Sequence, residues 1–314
     1  MTEPVLIITG PTASGKSRLA VAVAAAFDGV VINADSMQVY RELPILTARP
    51  GADDLARAPH RLYGIISVTE GFSVAAWRQL AVAEIEAAAK AGRLPILCGG
   101  TGLYLKALIE GIAPIPAIPD AVRRATRARH DRLGAAAFHA GLAARDPATA
   151  ARLAPGDRQR LCRAWDVLVA TGRTLADWQA ANAAPPANGF VPGTILLSPP
   201  RADLYAACDA RFEAMLAAGA LAEVAALDRH RPDRGRPAFK ALGVADLGRH
   251  LAGEVDLETA VAAAQQATRH YVKRQMTWFR HQLAADLVLD EQYSESLEPK
   301  IFSFIREYLL TGKP

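Results

Sequence analysis

The feature that most constrains this chain is a glycine-rich segment near its start. It follows the apolar run 5–8, precedes a helical pattern from Arg18, and reads Gly10-Pro11-Thr12-Ala13-Ser14-Gly15-Lys16-Ser17. In such a G-x-x-x-x-G-K-S loop, glycines let successive backbone N–H groups point inward, and the helix N-terminus adds positive charge. Lys16 supplies a full charge and Ser17 a Mg²⁺ ligand. The segment therefore predicts a phosphate site, with an ordinary glycine-rich turn as the competing interpretation.

The overall composition indicates a globular protein with one or two domains. The chain has 314 residues, of which 51% are hydrophobic and 22% charged. No apolar run approaches the roughly 20 residues that cross a bilayer, and no basic stretch precedes the first apolar run. We therefore expect a cytoplasmic protein without membrane contact. Its cysteines, Cys98, Cys162 and Cys208, lie far apart in no metal-ligand spacing, which predicts buried thiols.

Short apolar runs alternate with helical patterns over much of the chain. The runs 5–9, 30–33, 94–98 and 194–197 read as buried strands, and 73–91 has helical spacing. This order predicts an α/β fold with a P-loop NTPase-like parallel sheet. Ligands of such sheets bind at the carboxyl ends of the strands. The phosphate loop, the segment 35–38 and the segment 99–102 all follow predicted strands, and we expect them at one site.

The middle of the chain has a different composition. Residues 119–190 carry 11 Arg and 6 Asp, a net charge of +5, whereas the remainder carries 25 basic and 26 acidic residues, a net charge of −1. Proline- and glycine-rich segments at 114–119 and 185–193 flank it. We predict an all-helical insertion at 119–190, a core at 1–118 and 191–293, and a C-terminal helix at 294–314 that docks on the core. The arginines indicate either solvated helix faces or a phosphodiester-binding surface.

Two polar residues follow predicted strands and face the expected phosphate site. Asp35 fits a Walker-B-like magnesium ligand, as in nucleotide hydrolases, and its spacing does not exclude that role. Thr101 has a hydroxyl that can donate to a leaving or bridging oxygen or help orient Asp35. A structural glycine turn also explains the segment around Thr101, so the residues alone leave these roles open.

Five segments in one order along the chain resemble those of a known family. They are GPTASGKS at 10–17, DSMQVYR at 35–41, GGTGLY at 99–104, QRLCRA at 159–164 and TRHYVKRQMTW at 268–278. Together they are similar to the tRNA dimethylallyltransferase family in its short bacterial form, from residue 4 to about 290. The resemblance implies transfer of a dimethylallyl group from its diphosphate to N6 of the adenine immediately 3′ of a tRNA anticodon, by a monomer that uses Mg²⁺.

The resemblance also implies roles for individual residues. Asp35, Thr101 and Lys16 would be catalytic, the loop Gly10–Ser17 would bind diphosphate, and Ser17 would bind the metal ion. The partners would be dimethylallyl diphosphate and the anticodon arm of tRNA. The residues implied to contact tRNA are Asp35, Ser36, Met37, Gln38, Thr101, Arg123, Gln159, Arg160, Leu161, Cys162, Arg163, Lys240, Ala241, Leu242 and Gly243.

Some features stay open at this point. In the predicted helix 258–282, Arg269, Lys273 and Arg280 lie at helical spacing on one side and indicate a solvated basic stripe. The resemblance raises the alternative that Arg269, Lys273 or Arg274 faces pyrophosphate or tRNA phosphate. Trp278 and Phe279 are expected in the core. Val244 stands where relatives commonly have an aromatic residue. A small-molecule kinase or nucleotide hydrolase would use the same loop for ATP. A prenyltransferase of free adenine nucleotides would have little need of a basic insertion, and a non-catalytic RNA-binding module would not need the phosphate loop.

Overall fold

The computed structural model describes residues 3–181, 190–227, 229 and 235–312. Contacts between Cα atoms divide the chain into two units. Unit 1 comprises Met1–Ile109 and Asn188–Pro314, and unit 2 comprises Glu110–Ala187. Of the predicted linker 185–193, residues 185–189 lie outside the described residues.

Unit 1 contains a six-stranded sheet in which all neighbouring strands are parallel. The strands are β1 Glu3–Thr9, β2 Gly29–Asn33, β3 His60–Arg61, β4 Leu94–Gly99, β5 Phe190–Leu197 and β6 Leu287–Leu289. Their order across the sheet is β3-β2-β4-β1-β5-β6. The sheet and its accompanying helices confirm the predicted α/β fold.

Helices cover both faces of the sheet. Alternate strand residues point to opposite faces, so that Leu6 and Ile8 join one apolar cluster and Val5 and Ile7 join another. Burial on both faces explains why the strands read as continuous apolar runs. The helices of unit 1 are α1 Lys16–Ala26, α2 Ala52–Arg57, α3 Val74–Lys90, α4 Gly102–Ile109, α10 Arg201–Ala217, α11 Ala220–Leu227, α12 Val244–Leu251, α13 Leu257–Gln282 and α14 Glu298–Thr311.

The C-terminal helix α14 packs on the first of these clusters. Ile301 and Ile305 are fully buried there, and the Tyr308 hydroxyl accepts a hydrogen bond from the Val5 amide at 2.8 Å. A Cβ atom at Gly193 would lie 3.1 Å from the Tyr308 ring, so a glycine at this position leaves room for the ring.

The sequence predicts a loop that extends through Pro192 and Gly193, and this prediction is wrong for the C-terminal end of the loop. Strand β5 begins at Phe190, and Val5 of β1 is the partner of Pro192. Strand β6 pairs with β5 from Ile195 onward. Among the described residues, Pro192 therefore has a strand neighbour on one side, and its missing N–H costs no ladder hydrogen bond on the other.

Unit 2 is helical throughout its described secondary structure. Its core combines Phe138, Leu142, Leu161 and Trp165. Residues 110–119, which precede the first helix, fall in this unit. The helices are α5 Asp120–Leu133, α6 Ala135–Ala143, α7 Pro147–Ala150, α8 Arg158–Thr171 and α9 Leu175–Ala181.

Candidate active site

The carboxyl ends of β1, β2 and β4 meet at one edge of the sheet, because these strands are neighbours in the order β2-β4-β1. The Thr9 hydroxyl donates to the Gly99 carbonyl at 2.8 Å, and the Ala34 amide donates to the Cys98 carbonyl at 2.8 Å. These hydrogen bonds connect the end of β4 with the end of β1 and with the residue that follows β2. The structure thereby brings the phosphate loop, Asp35 and Thr101 to the same edge.

The phosphate loop has a backbone that depends on its glycines. Gly10 and Gly15 have φ angles of 155° and 89°, and Ala13 has a φ of 65°. A Cβ atom at Gly15 would lie 2.8 Å from Cβ of Tyr293. Left-handed φ and close packing both exclude larger residues at Gly15, which fixes the turn into helix α1.

Helix α13 braces this loop through one buried side chain. Gln275, 5% exposed, accepts a hydrogen bond from the Thr12 amide at 2.8 Å and donates to the Gly100 carbonyl at 2.9 Å. A Cβ atom at Gly100 would come within 2.4 Å of the Gln275 amide nitrogen. Gln275 thus links the phosphate loop to the segment that carries Thr101. It lies in a recognisable sequence segment, but no sequence signal pointed to this bridge.

Two cations lie at the loop. The Lys16 ammonium is 3.4 Å from the Pro11 carbonyl oxygen, and the Arg211 guanidinium donates to the Thr12 hydroxyl at 2.5 Å. Burial lowers the pKa of both groups, while the Asp35 carboxylate opposes that shift in each. A bound anion would relieve the desolvation of both cations. Sequence reasoning missed Arg211, since one arginine on a remote helix carries no recognisable pattern.

Asp35 begins a turn that is held by its neighbours. One carboxylate oxygen, Oδ1, accepts from the Met37 amide at 2.9 Å, and the Asp35 amide donates to Asn33 Oδ1 at 2.8 Å. The Asn33 amide group in turn donates to the carbonyls of Asp35 and Leu62, each at 3.0 Å. This arrangement fixes the backbone of Asp35 and uses one of its two carboxylate oxygens.

Thr101 contacts the same turn directly. Its hydroxyl accepts from the Ser36 amide at 2.9 Å and donates to the Ser36 hydroxyl at 3.2 Å. Of the two roles considered for Thr101, this geometry matches orientation of the Asp35 segment, because its proton already has an acceptor. The turn that carries Asp35 is therefore held by contacts from the segments that follow β2 and β4.

Aromatic side chains lie beside these polar groups. Tyr104 stacks on Trp77 with ring centroids 4.2 Å apart, and the Trp77 N–H donates to the Asn33 carbonyl at 2.8 Å. A Cβ atom at Gly102 would fall 2.4 Å from the Trp278 ring, so that ring covers this glycine. Burial raises the pKa of Tyr104 and of Tyr271 above their usual value. These rings place apolar surface beside the Asn33 backbone and beside Gly102, the residue after Thr101.

The remaining candidates in unit 1 differ in exposure. Lys240 is exposed and Leu242 is half-buried, whereas Ala241 and Gly243 are buried. Gly243 has a φ of 86° and caps helix α12, and a Cβ atom there would lie 2.8 Å from the Phe212 ring. Val244 is 3% exposed. Ser36, Met37 and Gln38 are half-buried.

The structure shows contacts for two of the three basic residues of helix α13 that were considered as phosphate ligands. Arg269 forms an ion pair with Asp209 at 2.6 Å, and the Arg274 guanidinium lies 5.6 Å from the Tyr271 ring centroid. Lys273 is exposed. Phe279 is in the core as expected, at 2% exposed.

In unit 2 the candidates on helices α5 and α8 separate into two groups. Gln159, Arg160 and Arg163 are exposed, and Arg123 is half-buried. The side chains of Leu161 and Cys162 lie in the core of unit 2, where an RNA bound at the surface cannot contact them. The segment 159–163 was expected to contact tRNA as a whole, but helical periodicity turns its two apolar members inward.

The candidate arginines of unit 2 carry excess positive charge. Arg163 is exposed as a residue, but neighbouring protein atoms partly desolvate its guanidinium and lower its pKa, and the adjacent Arg123 lowers it further. Arg160 pairs with Asp157 at 3.6 Å and Arg123 with Asp120 at 4.0 Å. Two arginines that repel each other are a suitable site for a phosphate.

A metal ion can be tested against the same site. The described residues contain no group of three or more His, Cys, Asp or Glu in metal-binding range. Mg²⁺ commonly takes one or two protein oxygens together with substrate phosphates and water. Ser17, which is exposed at the start of α1, offers a hydroxyl oxygen to such a donor set, and Asp35 follows a strand that ends at the same edge of the sheet.

Comparison with known proteins identifies the family. A model described as IPP transferase matches residues 38–282, well over half of the chain. The chain belongs to the IPP transferase family. The match begins after the phosphate loop, so membership rests on the segments from Gln38 onward.

Relatives extend the IPP transferase match to the whole chain. The tRNA dimethylallyltransferase of Paramagnetospirillum magneticum is 55% identical over 314 residues, which cover 99% of this chain and 98% of that protein. The enzyme of the same name from Rhodospirillum centenum is 58% identical over 284 residues, 90% of each chain. The tRNA isopentenylpyrophosphate transferase of Bacillus halodurans matches with a TM-score of 0.71 and 32% identity, over 98% of this chain and 97% of its own.

No helix among the described residues combines the length and apolar character that a membrane span requires.

Proposed function

We propose that this protein is a tRNA dimethylallyltransferase. It transfers a dimethylallyl group from dimethylallyl diphosphate to N6 of the adenine 3′ of a tRNA anticodon, giving N6-isopentenyladenosine and diphosphate. The observation that carries the proposal is the Gln275 bridge between Thr12 and Gly100, since it ties a phosphate-binding loop to the segment beside Asp35. Relatives that carry this enzyme name over the whole chain support it.

The phosphate loop would hold the leaving group. As the allylic C–O bond breaks, negative charge grows on diphosphate, and donors that are already in position stabilise it without reorganisation. The loop Gly10–Ser17 supplies backbone N–H groups, Lys16 supplies a full charge, and Arg211 lies against the Thr12 hydroxyl. The partly desolvated cations favour an anion, which is the property that this step requires.

Asp35 would accept the proton that N6 loses. The lone pair of an adenine amino group is delocalised into the ring, so removal of its proton during attack helps to form the new C–N bond. The Met37 amide and Thr101 keep the Asp35 turn in place. The aromatic surroundings would accept the dimethylallyl group and exclude water from a reactive allylic carbon.

Ser17 would hold a magnesium ion, which would supply positive charge beside the diphosphate leaving group. Lys16 and the loop amides would act on the diphosphate oxygens.

Binding of tRNA would involve both units. The adenine must leave its stack to reach Asp35, as enzymes that act on bases generally require. Ser36, Met37, Gln38, Lys240 and Leu242 are accessible on unit 1. Buried Ala241 and Gly243 could contribute only through the backbone geometry that positions Lys240 and Leu242. On unit 2 the accessible candidates are the exposed Gln159, Arg160 and Arg163 and the half-buried Arg123, whereas Leu161 and Cys162 would support the surface from within.

The direct test is a transfer assay with labelled dimethylallyl diphosphate, Mg²⁺ and tRNA. Label is expected in tRNA without added ATP, and nuclease digestion should recover it as N6-isopentenyladenosine. Matched reactions replace tRNA by AMP, or by a tRNA with guanine at the acceptor position. An absolute ATP requirement would contradict the donor assignment, and preferential labelling of AMP would contradict the acceptor assignment.

A further inference from the structure

The side chain of Gln38 is held in one orientation by a neighbouring loop. Its amide nitrogen, Nε2, donates to the carbonyl oxygens of Thr47 at 2.9 Å and Ala48 at 2.8 Å. Both partners are acceptors, so the amide cannot be reversed without setting its own oxygen against two carbonyl oxygens. The carbonyl oxygen Oε1 of Gln38 is therefore directed away from this loop.

The loop itself, residues 44–49, has a conformation that needs support. Ala48 has a φ of 53°, in the left-handed region that residues other than glycine rarely adopt. Its amide donates to the Ile45 carbonyl at 2.9 Å, and the Arg49 amide donates to the Pro44 carbonyl at 3.0 Å. Strained backbone of this kind persists where surrounding contacts hold it.

Glu223 of helix α11 provides one of these contacts. Its carboxylate is buried, with the residue 9% exposed. One oxygen accepts from the Ile45 amide at 2.7 Å and the other from the Leu46 amide at 2.9 Å. A buried carboxylate is costly unless it is hydrogen-bonded, so both oxygens are committed to the loop backbone. The catalytic groups described above make no use of this residue.

Arg49 holds the other end of the loop. Its guanidinium Nη1 donates to the carbonyl oxygens of Tyr40 at 3.2 Å and Arg41 at 3.1 Å. The carbonyls of Thr47 and Ala48 thus lie between two anchors, with Glu223 on one side and Arg49 on the other. Movement of either anchor shifts the acceptors on which the Gln38 orientation depends.

We propose that Glu223 is a positioning residue for tRNA recognition, acting through loop 44–49 to orient the Gln38 amide. The Gln38 Oε1 atom is then the part that faces RNA, where it accepts a hydrogen bond from a donor such as a base amino group. Glu223 itself touches no RNA. The inference rests on the tRNA-prenylating function proposed above, because it assigns Gln38 a contact with tRNA.

A double-mutant cycle on the full-length protein tests the proposal. Glu223→Gln replaces one acceptor oxygen by an NH₂ group that opposes a backbone N–H, and we expect kcat/KM for tRNA to fall about tenfold, mainly through KM. In a Gln38→Ala background the same substitution should change it less than about twofold, because the oriented group is absent. Glu213→Gln, an exposed acidic position on α10, is the matched control and should have no effect.

Two further measurements separate positioning from general destabilisation. Affinity for dimethylallyl diphosphate should stay within about twofold, and hydrogen exchange at the amides of Ile45 and Leu46 should accelerate in Glu223→Gln. If that variant does not fold, Glu223→Asp keeps the charge and withdraws the oxygens by one methylene, and the same cycle applies. Three results would overturn the proposal. They are additive effects of the Glu223 and Gln38 substitutions on kcat/KM, a loss of diphosphate affinity as large as the loss for tRNA, and unchanged hydrogen exchange at Ile45 and Leu46.

Absence of transfer by the wild-type protein would count against the proposed function instead. The exchange measurement and a tRNA-binding titration of the Glu223 and Gln38 variants do not depend on turnover. They would still decide whether Glu223 anchors the loop and acts through Gln38.

Discussion

At the phosphate loop of unit 1, backbone and side chains are fixed by bonds from distant parts of the chain, as in the contact of Gln275 with Thr12 and Gly100. On helices α5 and α8 of unit 2, Arg123 and Arg160 pair with aspartates three residues earlier in sequence, at 4.0 and 3.6 Å. Charge that develops in a transition state needs donors already in place, whereas an RNA backbone can be met by exposed, adaptable side chains. We therefore expect substitutions at the phosphate loop to lower the reaction rate, and substitutions on helices α5 and α8 to lower the affinity for tRNA.

The largest expected effect is on the chemical step. Asp35→Asn preserves size but removes nearly all basicity, so the single-turnover rate should fall by about 10²–10⁴ if Asp35 accepts the N6 proton. Affinity for tRNA should be largely retained. The rate is measured across a Mg²⁺ titration, since a metal-binding role would be revealed by recovery at high Mg²⁺, and recovery would refute the base assignment.

Loss of the brace between the two segments should come next. Gln275→Ala removes the bonds to Thr12 and Gly100, and a displacement of reacting groups by about 1 Å can lower a rate about 10²-fold. Binding of tRNA should hardly change. Single-turnover rates are compared with Gln266→Ala, an exposed glutamine on the same helix. Equal rates in the two variants would show that the loop keeps its geometry without Gln275.

A smaller effect, on binding, is expected in unit 2. Neutral glutamine at Arg123, Arg160 and Arg163 should weaken tRNA binding roughly 10- to 100-fold, and the salt dependence should fall by about one unit of slope for each phosphate that is no longer bound. Binding of dimethylallyl diphosphate should be unaffected. The control removes three exposed arginines of this unit that are not candidates for tRNA binding, Arg124, Arg132 and Arg152. Equal weakening in both triple variants would attribute binding to total charge alone.

The smallest effect concerns pH. Burial lowers the pKa of Lys16, so in the free protein its ammonium loses its proton at a lower pH than an ordinary lysine. Diphosphate binds the protonated form, and its affinity should therefore decline as pH rises through that lowered pKa. Lys16→Arg keeps its charge at all these pH values and should remove the decline. Diphosphate titrations at increasing alkaline pH check this, and parallel curves for the two proteins would contradict it.

Features that depend on local pattern could be predicted from the sequence. Apolar runs located β1, β2 and β4 to within a residue or two, and parallel pairing then brought Asp35 and Thr101 to one edge. The strand β6, with three residues, is too short for a periodic signal, and the start of β5 was obscured by Pro192 and Gly193. Strand β6 and the start of β5 form because adjacent strands pair with them, which a local sequence pattern does not reveal.

The supporting residues of the site could not be predicted in the same way. Gln275, Arg211 and Glu223 act through contacts with chain segments far away in sequence. Glutamine, arginine and glutamate are ordinary on helix surfaces, so only packing reveals that these three are committed to loops. For Leu161 and Cys162 the sequence suggested a surface contact where the structure has core side chains. The segment 159–163 was treated as one continuous tRNA contact, but helical periodicity buries these two side chains.

The contrast between the two regions is tested most directly by one paired measurement on two variants. Single-turnover transfer at saturating tRNA and equilibrium affinity for tRNA are determined for Asp35→Asn and for the Arg123, Arg160 and Arg163 triple variant. We predict a rate loss of about 10²–10⁴ with near-normal affinity in the first, and weakened affinity with a near-normal saturated rate in the second. Loss of rate and affinity together in both variants would contradict the division between a rigid chemical site and an adaptable binding surface.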